Sequence, residues 1–294
     1  MKKLAVYIVL LLGLACKKEI QIDIADKPPV LVVNADLDPD SLFSFNLAQS
    51  QNIIDNGPIP YVTNATVEIF NKDTVFIEQL SHSISGIYRS PGLKPRSDSQ
   101  YLFRINTIKG AFWCRETIPR AATCKLLDTI TLKFFQGKSN VFQARLEITD
   151  DSAKENYYGL RMKRYFDIYK GIDTVLSEEW VTLETMDFIL TENAKTKFSK
   201  KNLLFTDVFF RGQSPPFRIG GADLFDDPNE KTKKLVIYVT SYSKAGYEYY
   251  TSVNEHLFYQ NDPFSQPTTL VGNIPGAFGA AVGQATKTLT VNFK

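Results

Sequence analysis

Two histidines, His82 and His256, are the only imidazoles in the chain. A Ser-His-Asp arrangement would need one of them beside a nucleophile on a tight elbow, and no GxSxG is present. His82 falls in Ser81-His82-Ser83, which reads as a turn, and His256 follows Glu255 on a candidate helix. Both read as ordinary surface or boundary residues. Neither an HExxH nor a second histidine at helical spacing points to a metalloenzyme. Asp36-Leu37-Asp38-Pro39-Asp40 alternates three carboxylates, the oxygen donors that Ca²⁺ takes. An EF-hand loop requires glycine sixth and glutamate twelfth, and those places hold Ser41 and Leu47. A polar turn between strands is the expectation. The loop Asp223…Asp226-Asp227-Pro228-Asn229-Glu230 is read the same way. A glycosidase-type carboxylate pair is set by separation in space, so the 32 acids do not argue for one. Gly272, Gly276, Gly279 and Gly283 do not form GxGxxG and should mark tight turns or close backbone approach. No catalytic residue, metal ligand or cofactor is assigned, and the protein is expected not to be an enzyme.

The three cysteines divide into two kinds. Cys114 and Cys124 either close a small loop as a disulfide or lie as two thiols pointing apart; spacing alone does not fix the Cα separation a bridge requires. No CxxC or Cys/His cluster suggests zinc. Cys16 has a different setting. Met1-Lys2-Lys3 is a basic start, followed by an apolar run from Leu4 to Leu14. Such a run spans about 16 Å as a helix, well short of a hydrocarbon core of roughly 30 Å, so residues 1–15 read as a signal peptide. Gly13-Leu14-Ala15-Cys16 resembles the bacterial lipobox. Small residues let the backbone enter a peptidase cleft, and the Cys16 sulfur is the nucleophile that would be thioether-linked to a diacylglycerol with palmitate-type acyl chains. Residues 16–29, ending in Lys27-Pro28-Pro29, read as the lipidated tether. More than one acyl chain gives stable anchoring.

The elements that would carry these residues are mostly short strands. Length (294 residues) and a 44% hydrophobic composition exclude a mostly disordered chain. Lys2 and Lys3 account for two of the 34 basic residues; the remaining 32 balance the 32 acids, so nucleic acid is not an expected partner. Alternating runs punctuated by turn residues occur at 30–35, 42–47, 66–70, 74–77, 86–89, 101–106 and 111–118. They predict an immunoglobulin-like or transthyretin-like sandwich over 30–119. Further runs at 129–135, 142–148, 158–165, 180–184, 208–210, 217–219, 235–240 and 288–293 predict a second β-rich domain over 120–294. One helix is expected near 246–260, with Tyr250, Val253 and Leu257 on one face. Tyr242, Tyr247, Tyr249, Tyr250, Phe258 and Tyr259 exceed what one face can bury, so some should be exposed or interfacial, although for any one of them core packing is expected ahead of partner contact.

Leu31-Val32-Val33-Asn34, Gly86-Ile87-Tyr88…Tyr101…Thr117-Ile118-Pro119 and Asp151…Asn156-Tyr157-Tyr158 follow the lipobox in order. After them come Phe205-Thr206-Asp207…Phe210-Arg211-Gly212, Tyr249-Tyr250, and Asp262-Pro263-Phe264-Ser265-Gln266-Pro267 leading to Gly272-Asn273-Ile274. In that order the chain resembles the Bacteroidota outer-membrane lipoproteins known as domain of unknown function 4249. The resemblance implies a lipid-anchored protein of the outer membrane, commonly encoded beside a TonB-dependent receptor; that it faces the cell surface is a further expectation. It implies no activity and no catalytic residues. The expected role is a non-catalytic binding or accessory subunit of such a receptor in nutrient uptake. The alternative is a structural or assembly component of a larger outer-membrane complex.

Overall fold

The computed structural model describes residues 28–52, 55, 57–132, 141–171, 173–192, 199–221, 224–225, 227–260, 262, 264–266 and 268–293. The protein is mainly β. The first seven strands are β1 (Leu31–Leu37), β2 (Ser44–Gln49), β3 (Thr66–Asn71), β4 (Phe76–His82), β5 (Ile87–Arg89), β6 (Ser99–Thr107) and β7 (Gly110–Ile118). Their alternation sends one set of side chains inward: in β1, Leu31, Val33, Ala35 and Leu37 are buried while Asn34 and Asp36 face out. The hydrogen-bonded order is β1-β2-β5-β4-β3-β6-β7. Phe45 on β2 nevertheless lies with its ring centroid 5.0 Å from Phe103 on β6, although three strands stand between them along that path. The sheet therefore turns over at β4, which pairs with both β3 and β5, and its two arms enclose a core as a sandwich.

A second core sits between a three-stranded sheet and the other end of the large one. β8 (Thr123–Leu132), β9 (Val141–Thr149) and β13 (Pro216–Gly221) form the small sheet in the order β13-β9-β8. Facing it are β10 (Tyr157–Lys170), β12 (Leu203–Thr206) and β14 (Glu230–Tyr242), while β11 (Asp173–Trp180) pairs with β10 and adds nothing to the core. Ring contacts cross this core, with Phe205 on β12 centred 6.0 Å from Phe217 on β13.

The last strand, β15 (Phe278–Asn292), joins the two halves. Its first part runs parallel to β1, from Val32↔Phe278 to Leu37↔Gly283. Its second part runs antiparallel to β14, from Tyr242↔Gln284 to Lys234↔Asn292. Ile274 and Ala281 consequently pack into the core made by residues 31–118.

Besides a single turn α1 (Phe188–Thr191), the long helix is α2 (Lys244–Tyr259). Ser243 starts it, its hydroxyl accepting from the Gly246 amide at 3.0 Å. The buried face differs from the expected one. Gly246, Tyr247, Thr251, Ser252 and Asn254 point inward, whereas Leu257 is 52% exposed. Small residues let the helix lie close on β15: a Cβ at Gly246 would stand 2.6 Å from Val282 Cγ1. Other elements also depart from expectation. Residues 208–210 are not a strand; Asp207–Phe209 is a 3₁₀ turn. Residues 181–184 follow the end of β11 and contribute one isolated bridge, Glu184↔Gly220. Residues 133–135 of another expected strand lie outside the described residues.

Candidate functional site

The outer face of the large sheet and the edge of α2 together form a groove of about 410 Å³. Strand alternation supplies its floor. Asn34 and Asp36 leave β1 on the outward side, Ser44 and Asn46 leave β2 on the same side, and Asn34 and Asn46 are register partners. Ile87, Ala280 and Val282 add an apolar stretch. Tyr249 and Tyr250 make the wall. The Tyr250 hydroxyl donates to Asp36 Oδ1 at 2.6 Å and the Tyr249 hydroxyl to Asn34 Oδ1 at 3.3 Å. Burial, and then the Asp36 charge, push the Tyr250 phenol well above its ordinary pKa, so it stays a donor. Tyr242 backs it, with ring centroids 5.5 Å apart. Among the described residues the Asn46 amide and the Ser44 hydroxyl make no side-chain hydrogen bond and remain open to the groove. The arrangement can bind: it offers amide, hydroxyl and carboxylate groups beside phenol rings and a small apolar floor.

A second concavity lies where the halves meet. Two adjoining clefts, about 370 and 340 Å³, share Asp98, Arg120, Lys154, Asn156 and Ser241. Arg120 Nε donates to Asp98 Oδ2 at 2.9 Å across their rim. At the floor is Glu116, an inward residue of β7 with 3% exposure. It accepts from the Thr117 amide at 2.9 Å and from Asn273 Nδ2 at 2.7 Å. Asn273 is itself clamped to Ala281 by two further bonds, donating to its carbonyl at 2.7 Å and accepting from its amide at 3.0 Å. Burial outweighs the donors from Ser243, Thr117, Asn273 and Gly283 and raises the Glu116 carboxyl to about 7. Every oxygen is engaged, so this carboxylate ties β7, α2 and β15 together.

A third polar cluster has the same character. Asp207 is fully buried and accepts from Arg211 Nη2 at 3.0 Å and from the Asn156 amide at 3.0 Å. Asp150 accepts from the Tyr158 hydroxyl at 2.7 Å and the Gly212 amide at 2.8 Å, and Asn156 Nδ2 reaches Asp150 at 3.1 Å. Tyr88 pins a long connection likewise, donating to the Val62 carbonyl at 3.1 Å while accepting from the Ala65 amide at 2.8 Å. The residues that carried the family resemblance thus fall largely into joints of the fold, with Asn34 and Tyr249-Tyr250 at the groove.

The residues first considered for chemistry do not converge. His82 and His256 are exposed and lie on β4 and α2. Asp38 closes a turn by accepting from the Asp40 amide at 2.9 Å, and Asp227 does so from the Asn229 amide at 2.8 Å. Asp223 and Asp226 lie outside the described residues, as does Cys16. Among the described residues no group of three or more His, Cys, Asp or Glu is placed to hold a metal. Cys114 and Cys124 are free thiols on β7 and β8, so of the two alternatives the bridge is not formed. Burial pushes them up to about 12 and about 11 respectively. Of the aromatic cluster, Tyr242 and Tyr247 are core, Tyr249 and Tyr250 line the groove, and Phe258 is 54% exposed. Glu116 and Asp207 were missed as candidates. The available signal for Glu116 was a carboxylate in phase with Cys114 and Ile118 on an alternating strand.

Fold and site together define a β-sandwich protein with a helix-walled surface groove. The chain belongs to the family described as Domain of unknown function (DUF4249), which matches residues 17–290. No curated protein matches it. Among solved structures it is similar to a protein from Corynebacterium diphtheriae described as membrane anchored, at 7% identity and a TM-score of 0.22. That match covers 74% of this chain and 55% of the other, so the chain spans little more than half of that structure's length. It is also similar to three N-terminal domains of the bacteriophage RB49 Highly Immunogenic Outer Capsid protein (Hoc). That match has 11% identity and a TM-score of 0.24, over 88% of this chain and 68% of the other.

Proposed function

We propose that this protein is an outer-membrane lipoprotein, anchored through Cys16 and facing the cell surface, that works by binding as an accessory subunit of a TonB-dependent receptor in nutrient uptake. The observation that carries the binding role is the groove beneath α2, where Asn46 and Ser44 face open space between Asp36 and the Tyr249–Tyr250 wall. The sandwich of residues 30–119, immunoglobulin-like or transthyretin-like in this reading, is the rigid base that presents it. Gentle detergent extraction of outer membranes should co-isolate a receptor barrel with the lipoprotein. Clean recovery of the lipoprotein alone would count against the reading. A Cys16→Ser protein should leave the membrane fraction.

A second reading, a structural component of a larger outer-membrane complex, is favoured by one feature. Met186, Phe188, Val208 and Phe209 are 100%, 64%, 61% and 44% exposed, and the Phe188 and Phe209 rings are centred 5.5 Å apart. In that case deletion would disturb surface-protein assembly and leave growth on individual nutrients unchanged.

A further inference from the structure

We propose that the end of the first sandwich at which the chain enters β1 is a membrane-seating tip, resting in the interfacial layer of the bilayer that holds the lipid anchor. The inference rests on the anchor at Cys16 and adds which surface of the body meets the lipid.

Strand register brings four segments to this end. Leu31 is opposite Gln49, Thr66 opposite Asn106, Thr107 opposite Gly110, and the Leu47 amide donates to the Gly86 carbonyl beside the β4–β5 turn. Large apolar side chains project from these segments into solvent: Ile108 is 81% exposed, Ile84 68%, Ile59 54% and Tyr61 40%. Ile108 occupies the turn between β6 and β7, where nothing in the fold needs an isoleucine. Its neighbour Lys109 donates to the Pro29 carbonyl at 2.6 Å and to Gln49 Oε1 at 3.3 Å, so this turn touches the chain where it emerges from the tether.

Charge is distributed to match. Among the described residues of 28–31, 49–66, 82–87 and 106–111, Asp55 is the only carboxylate. The opposite end, at 38–41, 71–74 and 93–98, carries Asp38, Asp40, Lys72, Asp73, Lys94, Arg96 and Asp98. An end with isoleucines at its tips, a tyrosine, a lysine and hardly any acid has the composition of a surface that sits at the headgroup–acyl boundary. The far end exposes Val75 and Phe76 as well, at 59% and 54%, but sets them among charges of both signs and so belongs in water. The tether from Cys16 to Pro28, about 40 Å at full extension, is long enough for the body to reach the bilayer, and this end is where it attaches.

The test uses the processed, lipidated protein in vesicles of phosphatidylethanolamine and phosphatidylglycerol, with and without bromine on the acyl chains. Ile108→Trp reports on the tip, Ile84→Trp repeats it at a second position, and Val75→Trp, replacing a side chain 59% exposed near the far end, is the control. Emission of the unsubstituted protein corrects for Trp113 and Trp180. Brominated lipid should quench the added emission at 108 and 84 at least twofold and leave that at 75 unchanged. Protein that floats with the vesicles but shows equal emission at all three positions overturns the tip and leaves the anchor standing. Protein that does not float overturns the anchor, and the tip with it.

Discussion

Glu116 has four hydrogen-bond donors around it, from Ser243, Thr117, Asn273 and Gly283, yet burial still raises its carboxyl to about 7. The folded state therefore binds a proton that the unfolded chain has released from about pH 4.5 upward. Stability must fall as pH rises through that window and level off above it. At roughly 1.4 kcal/mol per pH unit the whole window amounts to about 3 kcal/mol. Urea midpoints measured from pH 4.5 to 8 should decline in the wild type and stay much flatter in Glu116→Gln, which has nothing to titrate there. A parallel decline in both would remove Glu116 as the cause. Asp207 behaves differently, because it is ion-paired with a half-exposed arginine and also caps the Asn156 amide. Asp207→Ala should cost about 3 kcal/mol, read from the same denaturation curves, since it leaves a buried amide and a guanidinium without their acceptor.

Helix α2 lies on its sheet through small residues, which reverses an ordinary rule. Glycine to alanine inside a helix usually stabilises by about 1 kcal/mol. At Gly246 the added methyl would meet Val282 Cγ1 at 2.6 Å and Ser243 Oγ at 3.1 Å, displacing the capping hydroxyl as well. Gly246→Ala should therefore destabilise by about 1–3 kcal/mol. Adding Val282→Ala should recover part of that loss in a double-mutant cycle; additive effects would mean that the helix does not press on β15 there. This contact also explains what could be read from the chain. The helix itself was legible from its uninterrupted length, and the strands from alternation, because both are periodicities of the local backbone. The buried side of the helix was not, since Tyr250, Val253 and Leu257 are apolar by type while Gly246 and Ser252 are buried by fit. Residues 208–210 looked like a strand for the same reason: Val-Phe-Phe is apolar, but the buried Asp207 carboxylate fixes a turn. The groove was visible only in pieces. The surplus of tyrosines pointed to α2 and the Asp36–Asp40 run to β1, but the bonds joining them span 214 and 215 residues.

At the scale of the molecule, the most consequential pairing is between the two ends of the chain. β15 is the parallel neighbour of β1 and the antiparallel neighbour of β14, so removing it strips a strand from each half at once. It also crosses β7 at backbone distance. A Cβ at Gly283 would stand 2.2 Å from the Thr117 carbonyl oxygen and 3.0 Å from Glu116 Oε1, a closeness that only glycine allows. Residues 30–119 taken alone would lack Ile274 and Ala281 from their core and would leave β1 as an open edge. Glu116 would lose Asn273, Ser243 and Gly283 together. Two cores and one shared strand should thus unfold in a single step. Near-ultraviolet circular dichroism and tryptophan fluorescence should trace one coincident transition, although Trp113 and Trp180 sit in different halves. A 30–119 fragment should be digested rapidly by protease and should regain resistance when residues 120–294 are supplied in trans. If the fragment melted by itself as sharply as the intact protein, β15 would be an ornament on two independent domains rather than the strand that makes them one.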